Sequence, residues 1–234
     1  MPDQAPVEFD EYSDSYREAV QGAISFAHTD LDFFTAAKAE ALLELAGSRL
    51  RAPAELDFLD VGCGPGETDR FLEGKVGGLA GVDVAPKMVE TARRRNPWAE
   101  YRDYAEGDRI PFDDGSFDVC FAVCVFHHVA RDQRAPLVEE MKRVCRPGGL
   151  IALFEHNPLN PLTRHAVRDC EFDRDAELLT RREAFRLFGE AGLSAPRGRY
   201  ILFFPRTSPL LRRIERRLGW LPLGAQYAVF AQRP

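Results

Sequence analysis

The sequence predicts a doubly wound α/β domain, and three observations carry that prediction. An apolar run, Leu56-Asp57-Phe58-Leu59, leads into a glycine-rich turn, Asp60-Val61-Gly62-Cys63-Gly64-Pro65-Gly66. Beyond it, short apolar stretches alternate with helical patterns, the rhythm of parallel strands joined by helical crossovers. The chain's 234 residues suffice for one full core without disulfides or metals. The net charge of −6 argues against a general nucleic-acid binder, because phosphate backbones recruit Lys and Arg. A small-molecule partner is expected instead.

The elements follow in order. Residues 8 to about 50 have helical spacing, first through Phe9, Tyr12, Tyr16, Ala19 and Val20, then through Phe33, Phe34, Ala37, Ala41, Leu42 and Leu45, with Gly47 as a stop. The chain thus divides into a helical lid or cap over 1–50 and a cofactor-binding domain over 51–234, forming one compact unit. Leu56–Val61 is expected as the first strand and Glu67–Leu72 as the helix after it; Leu79–Val84 and Pro86–Arg95 repeat the pair. Ala99–Tyr104 is a more polar third strand and Asp118–Val123 a fourth. A helix from about Arg134 to Cys145 follows, striped by Leu137, Val138, Met141 and Val144, and Arg146-Pro147-Gly148-Gly149 leads into a fifth strand, Leu150–Phe154. In an inserted segment, about 156–180, two Asn-Pro steps disfavour a regular helix or central strand. Thr180-Arg181-Arg182-Glu183 is a capping-box signal for a helix reaching roughly Ala191, with Gly192 at its stop. Two late strands, near Arg199–Phe204 and Gln226–Gln232, can pair antiparallel at the sheet edge.

Between those strands, a helix over about 208–219 sets Leu210, Leu211, Ile214, Leu218 and Trp220 beside a row of arginines. This stripe fits core packing with a solvated arginine face, and it also fits peripheral membrane contact over 208–221 by a helix that collects a lipid-linked acceptor. The N-terminus lacks the basic start and apolar core of a signal peptide, and no apolar run reaches membrane-spanning length, so a cytoplasmic protein is expected. Cysteines at 63, 120, 124, 145 and 170 contain no C-x-x-C pair and are expected as reduced thiols.

Glycines at 62, 64 and 66 allow a tight turn and close approach of backbone to a ligand. A dinucleotide fingerprint would place its third glycine at 67, where the chain has Glu67. An acid there would oppose a pyrophosphate, so a nucleoside without phosphates is expected, and S-adenosylmethionine, a sulfonium with an amino-acid tail, is the leading candidate. Asp83, at the end of the second strand, is placed to accept hydrogen bonds from ribose hydroxyls, or else to cap the next helix. Glu106 is favoured over Asp103 and Asp108 for the exocyclic amine of adenine. Cys120, Cys124, His127 and His128 resemble a metal set, but four strand residues hold the two sulfurs about 13 Å apart, too far to share an ion. No metal is expected.

Five stretches in order then carry a family resemblance: Leu59–Gly66, Gly81–Met88, Ile110–Asp118, Val125–Val129 and Arg146–Gly149. Over about residues 55 to 155 the chain resembles class I S-adenosylmethionine-dependent methyltransferases, in the ubiquinone/menaquinone-biosynthesis-like (type 11) small-molecule branch. The resemblance implies a Rossmann-like doubly wound seven-stranded sheet with its last strand antiparallel, and N-terminal lid helices. It also implies S-adenosylmethionine as cofactor and S-adenosylhomocysteine as product. The cofactor-binding set on this reading is Tyr16, Asp60, Gly62, Cys63, Gly64, Gly66, Asp83, Val84, Met88, Glu106, Gly107 and Cys124. Glu106 departs from the family's usual Asp. The segment from Phe9 to Tyr16 is similar to the tyrosine-bearing lid helix of the group, or is a plain packing helix.

Methyl transfer is an in-line displacement at the sulfonium carbon, so catalysis is chiefly orientation and exclusion of water. A base matters only where the acceptor carries a proton. His128, just past the fourth strand, is the first candidate, and His127 could exchange roles with it; both could equally cap or pack a helix start. Glu155 and His156, at the end of the fifth strand, are a second candidate pair or a solvated loop end. The expected function is methyl transfer to an O, N or C nucleophile of a small molecule such as a sugar, a phenol or quinone, or a lipid-linked compound. A non-catalytic cofactor-binding regulatory module and an NAD-dependent oxidoreductase are the competing readings.

Overall fold

The structure, a computed structural model, describes residues 16–25, 29–205 and 208–234. Phe9 and Tyr12 of the expected lid lie outside the described residues. Seven strands form one sheet: β1 Asp57–Val61, β2 Gly78–Asp83, β3 Glu100–Asp103, β4 Phe117–Val123, β5 Cys145–His156, β6 Ser194–Ile201 and β7 Gln226–Gln232. Their order is β3-β2-β1-β4-β5-β7-β6. β7 runs antiparallel to both β5 and β6, while β1 to β5 pair in parallel. The last strand is therefore antiparallel, as the resemblance implied, but it is inserted between its neighbours and β6 takes the edge.

Side-chain alternation along the strands feeds two apolar layers. On one face Phe58, Phe121 and Phe154 pack with Leu42, Leu45 and Ala46 of α2, Leu31–Arg49. On the other, Leu59, Cys120, Leu153 and Tyr227 pack with Val138 and Met141 of α4, Arg134–Val144, and with Leu187 and Phe188 of α6, Arg181–Glu190. The remaining helices are α1, Tyr16–Ala23, α3, Pro86–Arg95, α5, Pro161–Asp169, and α7, Pro209–Leu218. None of the described helices is long and apolar enough to cross a membrane.

The structure departs from the sequence expectations in four places, one of them β6, which spans Ser194–Ile201 where a strand near Arg199–Phe204 is expected. No α-helix follows the glycine turn, only a 3-10 turn at Asp69–Phe71. The polar residues there are drawn inward: Glu67 pairs with Arg17 and Arg95, Tyr101 donates to Asp69 at 2.7 Å, and Gly74 at φ 67° turns the chain away. β5 begins at Cys145, with no separate turn over 146–149. Arg146 ties that stretch to Asp57 and Asp118, and Gly148 and Gly149 exchange backbone hydrogen bonds with Arg233. Finally, the Asn-Pro step at 160–161 starts a helix. Asn160 caps it by accepting from Leu162 and Thr163, and Pro161 takes the first position, where a missing N–H costs nothing. The Thr180 capping box forms as expected.

Candidate functional site

Strand order reverses between β1 and β4, and the crevice beyond the carboxyl ends of two such strands is where α/β sheets bind ligands. A cavity of about 610 Å³ opens there. One half is built on the glycine turn. Gly62 and Cys63 both donate to the Val82 carbonyl, at 2.8 and 3.0 Å, which folds the turn back over β2. Gly62 has φ 76°, and a Cβ there would sit 2.6 Å from the Val125 methyls, so only glycine fits. Asp83 accepts from Gly64 N at 2.7 Å and from Ala85 N at 3.0 Å, so it caps the next turn and ties the glycine loop to β2.

Tyr16, Asp60, Gly62, Cys63, Gly64, Asp83, Val84, Met88, Glu106, Gly107 and Cys124 all line the cavity. Gly66 stands behind the wall, against Asn96, Ala92 and Tyr101. Of the three acids weighed for adenine, Glu106 and Asp108 line the cavity, whereas Asp103 faces Arg93 at 3.6 Å. Asp60 is buried against Asp69. Burial, followed by the Asp69 charge, holds the Asp60 carboxyl well above the usual range. Burial also raises Asp69, to about 6. Glu67 has a different role from the one expected. Arg17, Arg95 and Arg70 surround its buried carboxylate, so its charge is offset by arginines and ties α1 to the loop.

The other half is a cluster of imidazoles and carboxylates. Glu155 lies behind the wall, accepting from Val125 N and Phe126 N at 3.0 and 2.7 Å and holding His127 Nδ1 at 2.7 Å. It is a positioning residue. Asp173 comes from the inserted segment, and its Oδ1 lies 3.3 Å from His127 Nε2 and 3.2 Å from His128 Nε2. Sequence reasoning missed Asp173, because nothing local marks an acid in a 3-10 turn 46 positions after its partner.

The two adjacent histidines, interchangeable in the sequence, differ in environment. Burial opposes charging of His127, but the Glu155 charge and the hydrogen bond to Asp173 outweigh it and carry the pKa to about 10. His127 is therefore an imidazolium clamped by two carboxylates. Burial, then the His127 charge, lowers His128. The same causes push His156 down to about 4. Both stay neutral near pH 7. Burial works against ionisation of Asp173, yet hydrogen bonds from His127 and His128 hold its carboxyl well below the usual range. Ligand-type atoms of His127, His128 and Asp173 lie within 4.8 Å of one another, but His127 as an imidazolium has no lone pair to offer a metal ion. Cys120 and Cys124 are not part of this trio.

The fold and the cavity together define a doubly wound α/β protein with a ligand-sized crevice at the switch point of its sheet. A family model described as a methyltransferase domain matches residues 59–153. An uncharacterized methyltransferase of Mycolicibacterium gilvum is 36% identical over 184 residues, 74% of this chain and 70% of that protein. Malonyl-[acyl-carrier protein] O-methyltransferase of Serratia marcescens is 32% identical over 135 residues, 58% of this chain but only 51% of its own length. Among solved structures, a Thermotoga maritima S-adenosylmethionine-dependent methyltransferase, described as a possible histamine N-methyltransferase, shares the fold. Its TM-score is 0.68 at 19% identity, covering 97% of this chain and 98% of that one. The chain belongs to the class I S-adenosylmethionine-dependent methyltransferases. That membership displaces the oxidoreductase and non-catalytic readings.

Proposed function

We propose that this enzyme methylates a hydroxyl of a small molecule, with His128 as the base that takes the hydroxyl proton. One observation carries the reading: a single cavity joins the glycine turn, Asp83 and Glu106 to a neutral histidine bonded to a carboxylate. On this reading the nucleoside lies over Gly62 and Gly64, with its ribose hydroxyls on Asp83 and adenine beside Glu106 or Asp108. The sulfonium then points toward Cys124 and the histidines. Asp173 orients His128 and stabilises the imidazolium that forms when the proton is taken, as carboxylates paired with basic histidines do. His127, already charged, is unfit as a base and fixes Asp173 in place. Displacement at the methyl carbon needs no metal.

A specific observation also favours an acceptor presented at a lipid surface. Leu162 lines the cavity and is 60% exposed, and Asn160 beside it donates to the Leu223 carbonyl at 2.7 Å. Leu159, Leu223, Trp220 and, on α7, Leu210 are exposed as well. Phe203 of the cavity wall donates to Glu215 of α7 at 2.6 Å.

Calorimetry with S-adenosylhomocysteine tests the cofactor half: Asp83→Ala should weaken binding by about 1–3 kcal/mol. With labelled methyl donor and a cell extract as acceptor pool, His128→Gln should cut label transfer about a hundredfold or more while leaving S-adenosylhomocysteine affinity intact. Wild-type protein that binds no S-adenosylhomocysteine at millimolar concentration would defeat the proposal.

A further inference from the structure

Gln226 opens β7 and pairs in register with His156, the last residue of β5. It is 6% exposed and lines the cavity. Its amide nitrogen is engaged, donating to the Cys124 sulfur and to His156 Nδ1, each at 3.4 Å. Its carbonyl oxygen is not: among the described residues Oε1 has no hydrogen-bond partner. A buried carboxamide oxygen left in that state is uncommon and costly, the more so in a cavity that Leu162, Val167, Phe172, Leu202 and Phe203 also line. β7 lies two strands from β4 and three from β1, so Gln226 stands on the histidine side of the cavity, away from the glycine turn. Both Gln226 and His156 fall outside the residues 59–153 that match the methyltransferase domain. This corner is therefore built by segments particular to the chain.

A ligand group that satisfies Oε1 must donate a hydrogen bond. An anion would be repelled by the oxygen, and Lys38, whose Nζ reaches the same Cys124 sulfur at 3.8 Å, disfavours a cation. A neutral donor is left, and a hydroxyl supplies one. We propose that Gln226 is a specificity-determining residue that binds a second hydroxyl of the methyl acceptor. The substrate is then a neutral diol or diphenol, with one hydroxyl methylated at His128 and the other held at Gln226. The inference rests on the hydroxyl-methylation reading above and deepens it by naming the substrate class.

Binding of phenol, catechol, resorcinol and hydroquinone to the S-adenosylhomocysteine complex is compared in wild type and in Gln226→Met, which keeps the length of the side chain and removes its acceptor. At least one of the three diphenols, whose hydroxyls differ in spacing, should bind wild type about tenfold more tightly than phenol and lose that advantage in Gln226→Met. Gln226→Glu keeps an oxygen in place and should retain the preference. Diphenols that bind no better than phenol, or a preference that survives Gln226→Met, overturn the proposal. So does weaker S-adenosylhomocysteine binding in Gln226→Met with 5′-methylthioadenosine unchanged, because that nucleoside lacks the amino-acid tail and the contact would then belong to the methyl donor. The melting temperature of Gln226→Met, expected at or above that of wild type because an unpartnered buried oxygen has gone, separates a lost contact from a lost fold. The preference is read in binding alone, so failure of His128 as the base leaves it standing, while wild-type protein that binds no S-adenosylhomocysteine counts against the methyltransferase reading instead.

Discussion

Replacing Asp173 by asparagine keeps the size of the side chain and removes the charge that faces two imidazoles. His127 is the residue that responds most. Its pKa rises from 6.5 to about 10 under two carboxylates, Glu155 by charge and Asp173 by hydrogen bond. At about 1.4 kcal/mol per tenfold change in proton affinity, the part of this realised at pH 7 is roughly 4 kcal/mol of folding stability. If the two carboxylates share it evenly, Asp173→Asn forfeits about 2 kcal/mol, equivalent to a fall in melting temperature of roughly 4–8 °C for a chain of this size. The pH dependence is the sharper test. A histidine raised on folding contributes fully below its unfolded value of 6.5, and the contribution is lost as pH rises through about 10. Asp173, depressed on folding, keeps its own contribution until strongly acidic pH. The gap between wild type and Asp173→Asn should therefore be widest near pH 5–6.5 and close toward pH 10. Thermal melts across that range measure it. Equal melting temperatures, or a gap that widens from pH 7 to 10, would refute the clamp.

Two further predictions concern the glycine turn and the rim of the cavity. Gly62→Ala adds a Cβ 2.6 Å from Val125 at φ 76°, so urea denaturation should show a loss of about 2–4 kcal/mol and S-adenosylhomocysteine binding should fail. Gly64→Ala meets nothing within 4 Å and should cost only about 1–2 kcal/mol for its φ of 50°; an equal loss at both positions would contradict the packing argument. If the apolar rim docks on lipid, wild-type protein should co-sediment with anionic vesicles, and Leu210→Ser with Trp220→Ser should abolish it. Co-sedimentation that survives the double change would place the contact elsewhere.

What the sequence made legible was whatever repeats at short range. Strand and helix periodicity, the glycine spacing and the Thr180 capping box are local signals, and they located most of the sheet and the half of the cavity built on β1 and β2. The missing helix after the glycine turn was not local. Glu67 and Asp69 suit the first turn of a helix by composition, but Arg17, Arg95 and Tyr101, distant in sequence, draw their side chains inward and leave only a 3-10 turn. The other half of the cavity depended on the same kind of distant partner. His127 and His128 could not be told apart until Glu155 and Asp173 were placed on either side of His127, one from the end of β5 and one from the inserted segment.

Lys38 shows the same dependence on distant partners from the other side. It lies on the buried stripe of α2, 6% exposed, and among the described residues no carboxylate stands at ion-pair distance from its Nζ, which meets the Cys124 sulfur at 3.8 Å. Lys38 and Asp173 therefore stand apart in kind: the charge of Asp173 is met within the protein by two imidazoles, so its replacement is felt first as stability, whereas Lys38→Met removes a buried charge that has no carboxylate partner. Stability loss in Asp173→Asn alongside unchanged or raised stability in Lys38→Met is the paired outcome this argument requires.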